Sequence, residues 1–508
     1  MTVTQPVLWS DFPDPDVIRD GDTYYMLTTT MHMFPGGHIL QSRDLLHWEH
    51  CGFVFETLGD SPAQRLEGGN CYGQGMWAGT LRRHKDEFHV VFTCNDTKKS
   101  CHYTAKAPQG PWQRHEMQGF YYDPSLLFDH DGRVYIAHGN HEVYITELNG
   151  DLSGPRENGL HRMVLTDSDT MRVGYEGSHF YRIGGRYYLF CIHWPNDGFA
   201  RRTEVCFSAA SLTDAFTGGT IVDDDLGFFN KGVAQGGAVE MPDGRWCLML
   251  FQDHGAVGRM PILAPMTWVD GFPKVSPIPR DITVEEDNTP RRLPKPLYES
   301  DSLRRQTFSP LWQWNHEPDL SLVGLSEQGL RLTAGRVVRN LEEAPNTLTQ
   351  RTFGPACEAI VTVDASGLQP GDYAGLCALQ GCFCQLAVTR DTEGFSLSLI
   401  SREAQPAVYA IQPSSEPVCE RARVRWNQPR VTLKVCFDFQ DMADTVSFFY
   451  DGNGSWQPIG RPHFLVYRLD FFVGCRIGLF CYATQAPGGS AVFTDFQYSV
   501  LNSGLPRR

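Results

Sequence analysis

The segment "DGRVYIAHG" (residues 131–139) places Tyr135 at the head of a short apolar run, directly after a turn signal of Asp and Gly. Gly and Asp favour tight turns, and a short apolar run that opens with an aromatic residue favours a buried strand. The same pattern occurs five times, in residues 20–29, 85–93, 131–139, 184–192 and 243–251. Its lead aromatic residues are Tyr24, Phe88, Tyr135, Tyr187 and Trp246. The first three hundred residues therefore contain a repeated β-unit.

The spacing of this unit predicts a β-propeller. Successive copies lie ~47 to 64 residues apart, and irregular repeats of that size built from several short strands are typical of propeller blades. Alternating polar and apolar segments, such as "SRDLLHWE" (42–49), follow the copies and supply the further strands of each blade. Convincing long amphipathic helices are absent from the sequence pattern. We expect an all-β chain whose residues 1–290 form a five-bladed propeller.

A second domain follows the repeats. The charged, proline-rich text between Asp281 and Ser300 is typical of an inter-domain linker, which we place at residues 291–300. Beyond it, about ten short strand-like runs alternate with turn signals, a pattern that predicts a two-sheet sandwich. We therefore expect residues 301–508 to form a β-sandwich domain.

Composition limits the partners and the compartment. The 508 residues carry a net charge of −15 and contain 41% hydrophobic residues, which argues against nucleic acid and anionic membranes as partners. The first residues show no basic region followed by an apolar stretch, and no run approaches the ~20 apolar residues of a spanning helix. Fifteen cysteines form an odd set that indicates reduced thiols. We expect a cytoplasmic protein, for which exposed strand edges also permit a homo-oligomer.

Three carboxylates occur at one point of the repeat. The positions ten to twelve residues before the lead aromatics are Asp14, Trp77, Asp123, Glu176 and Gln235. In a propeller blade this point lies on the innermost strand, so equivalent positions converge around the central axis. A turn composition alone explains "FPDPDV" (12–17), but converging carboxylates repel one another and lose hydration, and the fold does not require them. We therefore interpret the three acids as a functional site.

Paired carboxylates across a small-molecule cleft are typical of glycosidic bond hydrolysis. One carboxylic acid protonates the leaving oxygen while another carboxylate activates water or attacks carbon, and a third acid can orient the donor and raise its pKa. Arg259 can supply fixed charge and forked hydrogen bonds to hydroxyls, although a blade-linking ion pair is the alternative interpretation. Several aromatic side chains near the acids suit the apolar faces of a sugar ring, although core packing is equally consistent with them: Trp77, Tyr121, Tyr122 and Trp194.

The chain resembles glycoside hydrolase family 43, most closely its β-xylosidase and α-L-arabinofuranosidase members with an appended β-sandwich. The segments "FPDPDVIRDGDTYYMLTTT", "MWAGTL", "YYDPSLLFDHDGRVYI" and "YEGSHFYRIGGRYYLF" carry the resemblance, in order along almost the whole chain. The resemblance implies an inverting mechanism with Asp14 as general base and Glu176 as general acid. It implies that Asp123 tunes the pKa of the acid and orients it, and that Arg259 contacts the substrate.

Several positions depart from the family pattern around the sugar subsite. Gln235 stands where many members have a histidine linked to a central metal or water cluster, so we expect no metal ligands and no required cofactor, and a central calcium is disfavoured. Met31 and His141 replace aromatic residues that the resembled xylosidases tend to have. The resemblance also implies that a sandwich loop reaches the catalytic funnel, where Phe471 or Phe472 closes the pocket, with ordinary sandwich core as the alternative. The candidate substrate-binding residues are Arg259, Trp77, Met31, Phe34, His141, Trp194, Gln235 and Phe472.

These observations favour an inverting exo-glycosidase that releases terminal β-D-xylose or α-L-arabinofuranose from short plant-cell-wall oligosaccharides. A non-catalytic carbohydrate-binding propeller is one alternative, but it leaves the three acids unexplained. A glycosidase of the same fold that acts on another terminal sugar, such as galactose, is a second alternative. A fructose-cleaving enzyme of the related type is disfavoured because it requires an Arg-Asp-Pro motif, whereas this chain has Tyr122-Asp123-Pro124.

Overall fold

The computed structural model of the protein describes residues 2–168, 171–195, 201–275, 277–283, 294–403 and 414–501. The predicted all-β architecture, a five-bladed propeller followed by a β-sandwich, is confirmed. The only helices in these ranges are short 3₁₀ turns at Pro62–Arg65, Gly255–Val257, Leu320–Leu322, Leu341–Glu343 and Gln440–Met442. None of the helices in the described part of the chain is long and apolar enough to cross a bilayer.

The propeller strands are short and separated by the predicted turns. In chain order they are β1 (Thr2–Thr4), β2 (Asp16–Asp20), β3 (Thr23–Thr28), β4 (Met33–Phe34), β5 (Gly36–Ser42), β6 (Trp48–Phe55), β7 (Met76–His84), β8 (Glu87–Cys94), β9 (Lys99–Ala105), β10 (Gln113–His115), β11 (Ser125–Phe128), β12 (Val134–Asn140), β13 (Glu142–Leu148), β14 (His161–Thr166), β15 (Val173–Ile183), β16 (Arg186–Trp194), β17 (Thr203–Ala209), β18 (Thr217–Val222), β19 (Ala234–Glu240), β20 (Trp246–Asp253), β21 (Arg259–Val269), β22 (Phe272–Val275) and β23 (Asp281–Thr283).

Each blade is a four-stranded antiparallel sheet. The five sheets have the orders β2-β3-β5-β6, β7-β8-β9-β10, β11-β12-β13-β14, β15-β16-β17-β18 and β19-β20-β21-β22. Every lead aromatic lies in the second strand of its blade, where it packs between neighbouring sheets. The first strands of adjacent blades contact one another around the ring, including β19 with β2, so these five are the inner strands. Pairing of β1 with β23 fastens the two ends of the propeller together.

A largely buried ion pair and the hydrogen bonds around it connect three of the inner strands. Arg82 Nη1 donates to Asp16 Oδ2 at 2.7 Å, and Arg82 Nη2 donates to Ser125 Oγ at 2.9 Å. His179 Nε2 lies 3.6 Å from Asp16 Oδ1, which brings a fourth blade into the same network. Because strands β2, β7, β11 and β15 each contribute one member, this hub network fixes the blades relative to one another.

Breaking the hub network should destabilise the propeller. We expect Arg82→Met to lower the free energy of unfolding by about 3–5 kcal/mol, because the buried Asp16 carboxylate loses its counter-charge. Arg83→Met is the matched control, since Arg83 pairs with Asp20 at the surface and such exposed pairs contribute about 0–1 kcal/mol. Urea unfolding followed by tryptophan fluorescence measures both variants. Equal effects of the two substitutions would show that the hub pair does not hold the blades.

The sandwich has more strands than the sequence pattern predicted. Instead of about ten, the described residues contain fourteen, because very short strands such as Gln313–Asn315 and proline-containing edge strands such as Trp456–Phe464 show little apolar alternation. They are β24 (Gln313–Asn315), β25 (Val323–Ser326), β26 (Gly329–Thr333), β27 (Thr347–Arg351), β28 (Ala356–Asp364), β29 (Asp372–Leu379), β30 (Cys384–Asp391), β31 (Gly394–Arg402), β32 (Val418–Trp426), β33 (Arg430–Asp438), β34 (Thr445–Asp451), β35 (Trp456–Phe464), β36 (Arg476–Ala483) and β37 (Ser490–Leu501).

The two domains share a sheet and a core. One sandwich sheet has the order β32-β31-β30-β29-β36-β27-β24-β4, so its last strand comes from the propeller, while the other has the order β25-β26-β37-β28-β33-β34-β35. In β4, Phe34 pairs with Trp314 of β24. One apolar cluster contains residues of the first and last blades together with most of the sandwich interior. Of the expected linker 291–300, residues 291–293 lie outside the described ranges.

Candidate active site

The backbone is irregular at the five repeat positions near the start of the inner strands. Asp14, Asp123 and Gln235 adopt left-handed backbone angles, with φ of 53°, 45° and 57°. Glu176 is followed by Gly177 with φ of 61°, and the pairing of β15 with β16 shifts register at this point. Bulges of this kind re-aim side chains and are frequent beside active sites. The regular strand backbone of the repeat is therefore interrupted at the positions that carry the acids.

Asp14 forms an ion pair with Arg259, the arginine expected from the sequence to contact the substrate. Arg259 Nη1 donates to Asp14 Oδ1 at 2.8 Å, and both side chains are buried. Asp11 binds the backbone of the same arginine, because its Oδ1 accepts from the Arg259 backbone N at 2.8 Å. The ion pair joins the start of the first blade to the third strand of the last blade. It fixes the direction of the Asp14 carboxyl group, which is the arrangement that a general base requires.

Glu176 lies on the fourth inner strand in a setting that raises the pKa of its carboxyl group. Its Oε2 accepts from Tyr122 Oη at 3.1 Å and from Asn140 Nδ2 at 2.6 Å. The pKa of Glu176 is raised to about 7, mainly by burial and also by the charge of Asp14, while Tyr122 and Arg202 act in the opposite direction. A carboxylic acid with a pKa raised toward neutrality suits proton donation to a leaving group.

Asp123 completes the group of acids. Its Oδ2 accepts from the Gly177 backbone N at 3.2 Å, one residue after Glu176. Burial, and then the charges of Glu176 and Asp14, raise the pKa of Asp123 well above its ordinary value. Because the charge of each neighbouring acid acts on Asp123, the structure brings the three carboxyl groups into one site.

Aromatic rings from both domains surround the acids. Trp77 lies between Tyr122 of the propeller and Phe472 of the sandwich, with ring centroids 5.7 Å apart in each case. The guanidinium of Arg259 lies 4.4 Å from the centre of the Phe472 ring. These contacts form one continuous side of the site. It runs from Arg259, the partner of Asp14, to Tyr122, which donates to Glu176. Phe472 therefore contacts the site across the domain interface, whereas Phe471 is buried against Tyr72.

The other substrate-binding candidates lie at different depths. His141 is half-exposed, and its Nδ1 lies 2.7 Å from Asp167 Oδ1 while its charge acts on Glu176. Gln235 packs against Gly177, since a Cβ at that glycine would lie 2.6 Å from the Gln235 Cδ. Trp194 is buried, and the guanidinium groups of Arg172 and Arg202 lie over its ring.

Two candidates are enclosed by packing. Met31 is 2% exposed and belongs to the apolar cluster behind Trp77 and Phe472. Phe34 is fully buried, with its ring against Phe55, and takes part in the strand pairing that joins the domains. The structure does not bring Phe34 to the surface of the cleft.

Sequence reasoning missed three polar residues at the site. Asn140 bonds Glu176 directly, Asp11 orients Arg259, and Arg202 places positive charge near Glu176. Asn140 could have been found from the segment "HGNHEVY" (residues 138–144), because it directly precedes the candidate His141. Arg202 had no local signal, because its position depends on the packing of two blades.

Replacing Asp123 by an amide should change the pH dependence. Glu176 and Asp123 repel each other when both are ionised, so we expect the falling limb of kcat/KM of Asp123→Asn to move to lower pH, because the amide cannot take part in that repulsion. As the predicted general acid, Glu176 acts in its protonated form, so the rate is expected to be retained below its pKa and lost as the pH rises through it. A pH profile from 4 to 9 on one aryl glycoside measures this shift. An unmoved falling limb would exclude the tuning role of Asp123.

Comparison with known proteins identifies the family of this site. The model described as Glycosyl hydrolases family 43 matches residues 3–273, and the model described as Beta xylosidase C-terminal Concanavalin A-like domain matches residues 300–499. A beta-xylosidase of Formosa agariphila is 28% identical over 464 residues, which cover 77% of this chain and 76% of the relative. A non-reducing end alpha-L-arabinofuranosidase of Bacteroides ovatus is 29% identical over 374 residues, which cover 69% of this chain and 68% of the relative.

A solved structure extends the similarity to the whole described fold. A protein described as a bifunctional GH43-CE of Bacteroides eggerthii superposes with a TM-score of 0.89 at 36% sequence identity over 99% of this chain. This chain spans 64% of the length of that protein. The matched model covers the five blades, the three acids and Arg259 together, and the second model covers the domain that contributes Phe472. The chain belongs to glycosyl hydrolase family 43.

Proposed function

We propose that this glycoside hydrolase is an inverting, exo-acting enzyme that releases terminal β-D-xylose or α-L-arabinofuranose from short plant-cell-wall oligosaccharides. The observation that carries the proposal is the different environment of two acids in one cleft. Asp14 is ion-paired with Arg259, whereas burial and neighbouring charge raise the pKa of Glu176 to about 7. One acid beside a fixed positive charge and a second acid with a raised pKa suit the roles of base and acid in hydrolysis with inversion.

The proposed reaction uses one water and no covalent intermediate. Asp14 accepts a proton from water as the water oxygen bonds to the anomeric carbon. Glu176 gives its proton to the glycosidic oxygen as the bond from that oxygen to the anomeric carbon breaks. Tyr122 and Asn140 hold Glu176 toward the leaving group, while Arg259 holds Asp14 toward the water. Inverting enzymes separate the two carboxyl groups by about 6.5–9.5 Å to leave room for that water.

The choice of a terminal pentose rests on the wall of the cleft and on the relatives. Phe472 and Trp77 close one side of the site, which favours a chain end over the middle of a polymer. The relatives whose similarity covers most of this chain are named as a xylosidase and an arabinofuranosidase.

We also infer that the reaction needs no cofactor, because Asp14 and Glu176 account for both proton transfers. The residues at the hub do not fit calcium, which takes 6–8 oxygen ligands. Asp16 Oδ2 already accepts from Arg82 and from the Leu81 backbone N, and the positive guanidinium disfavours a calcium ion beside it.

All fifteen cysteines are free, which supports the inference of a reducing, cytoplasmic compartment. A homo-oligomer remains a prediction.

A panel of aryl glycosides tests the proposed function. Purified protein is incubated with nitrophenyl β-xyloside, α-arabinofuranoside and β-galactoside, each beside the double variant Asp14→Asn/Glu176→Gln. We expect release of nitrophenol from one or both pentosides and none from the double variant. Hydrolysis of the galactoside alone would replace the pentose by another terminal sugar. Sugar retention without hydrolysis of any member would favour the non-catalytic binding propeller.

A further inference from the structure

Unpartnered polar atoms are concentrated beside the Asp14–Arg259 pair. Among the described residues, the buried atoms without a hydrogen-bond partner include Arg259 Nε and Nη2, Tyr467 Oη and Asp253 Oδ1. More than nine-tenths of buried polar groups in native proteins have a partner, so three such side chains in one place require an explanation. Tyr467 is 8% exposed and Arg259 is 3% exposed.

These three side chains converge although they come from both domains. Asp253 and Arg259 face each other as a cross-strand pair between β20 and β21. The charges of Arg259, Asp253 and Asp14 all act on the Tyr467 hydroxyl. The Phe472 ring connects the two domains here, because it lies 4.4 Å from the Arg259 guanidinium and 6.4 Å from the Tyr467 ring. The unpartnered groups therefore border the same site as the general base.

The segment that carries Tyr467 is fastened to the propeller. The Gly474 backbone N donates to Asp11 Oδ2 at 2.9 Å, and the Cys475 backbone N donates to the Ala256 carbonyl at 2.8 Å. Asp11 thereby binds the Tyr467–Cys475 segment of the sandwich and the backbone of Arg259 at the same time. Packing alone would be served by a phenylalanine at position 467, so the buried hydroxyl has no structural use among the described residues.

We propose that Tyr467 is a substrate-binding residue that donates a hydrogen bond to a hydroxyl of the terminal sugar. The inference rests on the proposed function and adds a polar contact from the sandwich domain to it. A sugar hydroxyl can accept from Tyr467 and from Arg259 and can donate to Asp253, so one neutral ligand group satisfies all three side chains. Burial keeps the pKa of Tyr467 above its ordinary value, so the phenol remains an O–H donor.

Such a site selects by the presence of a hydroxyl. A substrate that lacks the group leaves buried donors unpaired, which costs more than the loss of an exposed contact. The specificity of this enzyme therefore depends on one particular hydroxyl of the glycone, on the side of the sugar that faces Asp14. The sandwich takes part in recognising that hydroxyl, beyond closing the cleft with Phe472.

Deoxygenated substrates combined with Tyr467→Phe test this proposal. kcat/KM is measured for wild type and variant on the aryl pentoside that the wild type hydrolyses and on its monodeoxy analogues, one for each hydroxyl. We expect Tyr467→Phe to lose about 10- to 100-fold on the complete sugar. On one analogue the wild type should be slow already, and the variant should equal it, because the bond is then absent from both. Tyr467→Met should show the same analogue dependence despite its different packing.

Matched measurements separate this proposal from the proposed function. Tyr482→Phe removes the hydroxyl of another buried sandwich tyrosine, which accepts from Gln385, and should leave kcat/KM unchanged. Melting temperatures of all variants confirm the fold. If the wild type hydrolyses a pentoside while Tyr467→Phe matches it on every analogue, the role of Tyr467 is wrong and the proposed function stands. If the wild type hydrolyses none of the pentosides, the proposed function itself fails.

Discussion

Glu176→Gln should lower kcat/KM on an unactivated disaccharide by about 10³- to 10⁴-fold, because the amide has no proton to give to the leaving oxygen. The loss should depend on the leaving group. An aryl group that departs readily as an anion needs little protonation, so a dinitrophenyl glycoside should lose far less. The falling limb of the pH profile near pH 7 should also vanish, since it reports ionisation of Glu176.

A Brønsted series of aryl glycosides measures this prediction. The slope of log kcat/KM against the pKa of the leaving phenol should be steep for the variant and shallow for the wild type. Glu204→Gln is the control for the loss of a buried carboxyl, because Glu204 is fully buried and binds the Gln235 backbone N, whereas Glu176 binds Tyr122 and Asn140. A loss of equal size on every leaving group would contradict the assignment of Glu176 as general acid.

Asp14→Asn should abolish turnover to a similar extent, about 10³- to 10⁴-fold, for a different reason. The amide cannot accept the proton of the attacking water, and the nucleophile is the same for all substrates. The loss should therefore be uniform across the same series of aryl glycosides, including the dinitrophenyl glycoside. The two variants together distinguish the base from the acid by their leaving-group dependence.

Substrate affinity provides the control for Asp14→Asn. Arg259 can still donate to the amide oxygen, so the cleft should keep its shape and the variant should bind a terminal pentose with little change in Kd. Isothermal titration with the free sugar measures that affinity. A variant that retains wild-type turnover on all substrates would remove Asp14 from the chemistry.

The propeller could be read from the sequence because its blades repeat a strong local signal. Each lead aromatic, such as Tyr24 in β3 or Trp246 in β20, is fixed by its turn and its own strand, and the structure places all five equivalently. The sequence predicted fewer of the strands in the sandwich. Strand β35 contains Pro458 and Pro462 and is mostly exposed, so it has no continuous apolar face that marks a strand.

The acids of the site were predictable for the same reason as the fold. Asp14, Asp123 and Glu176 occupy one point of the repeat, and closure of the ring brings them together. The partners that set their chemistry were not predictable, because they come from other strands and from the second domain. Asp11 binds both Arg259 and the sandwich segment at Gly474, a contact that spans more than four hundred residues of sequence.

The stereochemistry of the first product tests the central claim most directly. Proton NMR is recorded during the first minutes of hydrolysis of an aryl β-xyloside, or of the arabinofuranoside if that is the better substrate. A general base at Asp14 that activates water opposite Glu176 predicts that the free sugar first appears as the inverted anomer, α-xylose from the β-xyloside. Initial release of the retained anomer would require a covalent intermediate and would contradict the account.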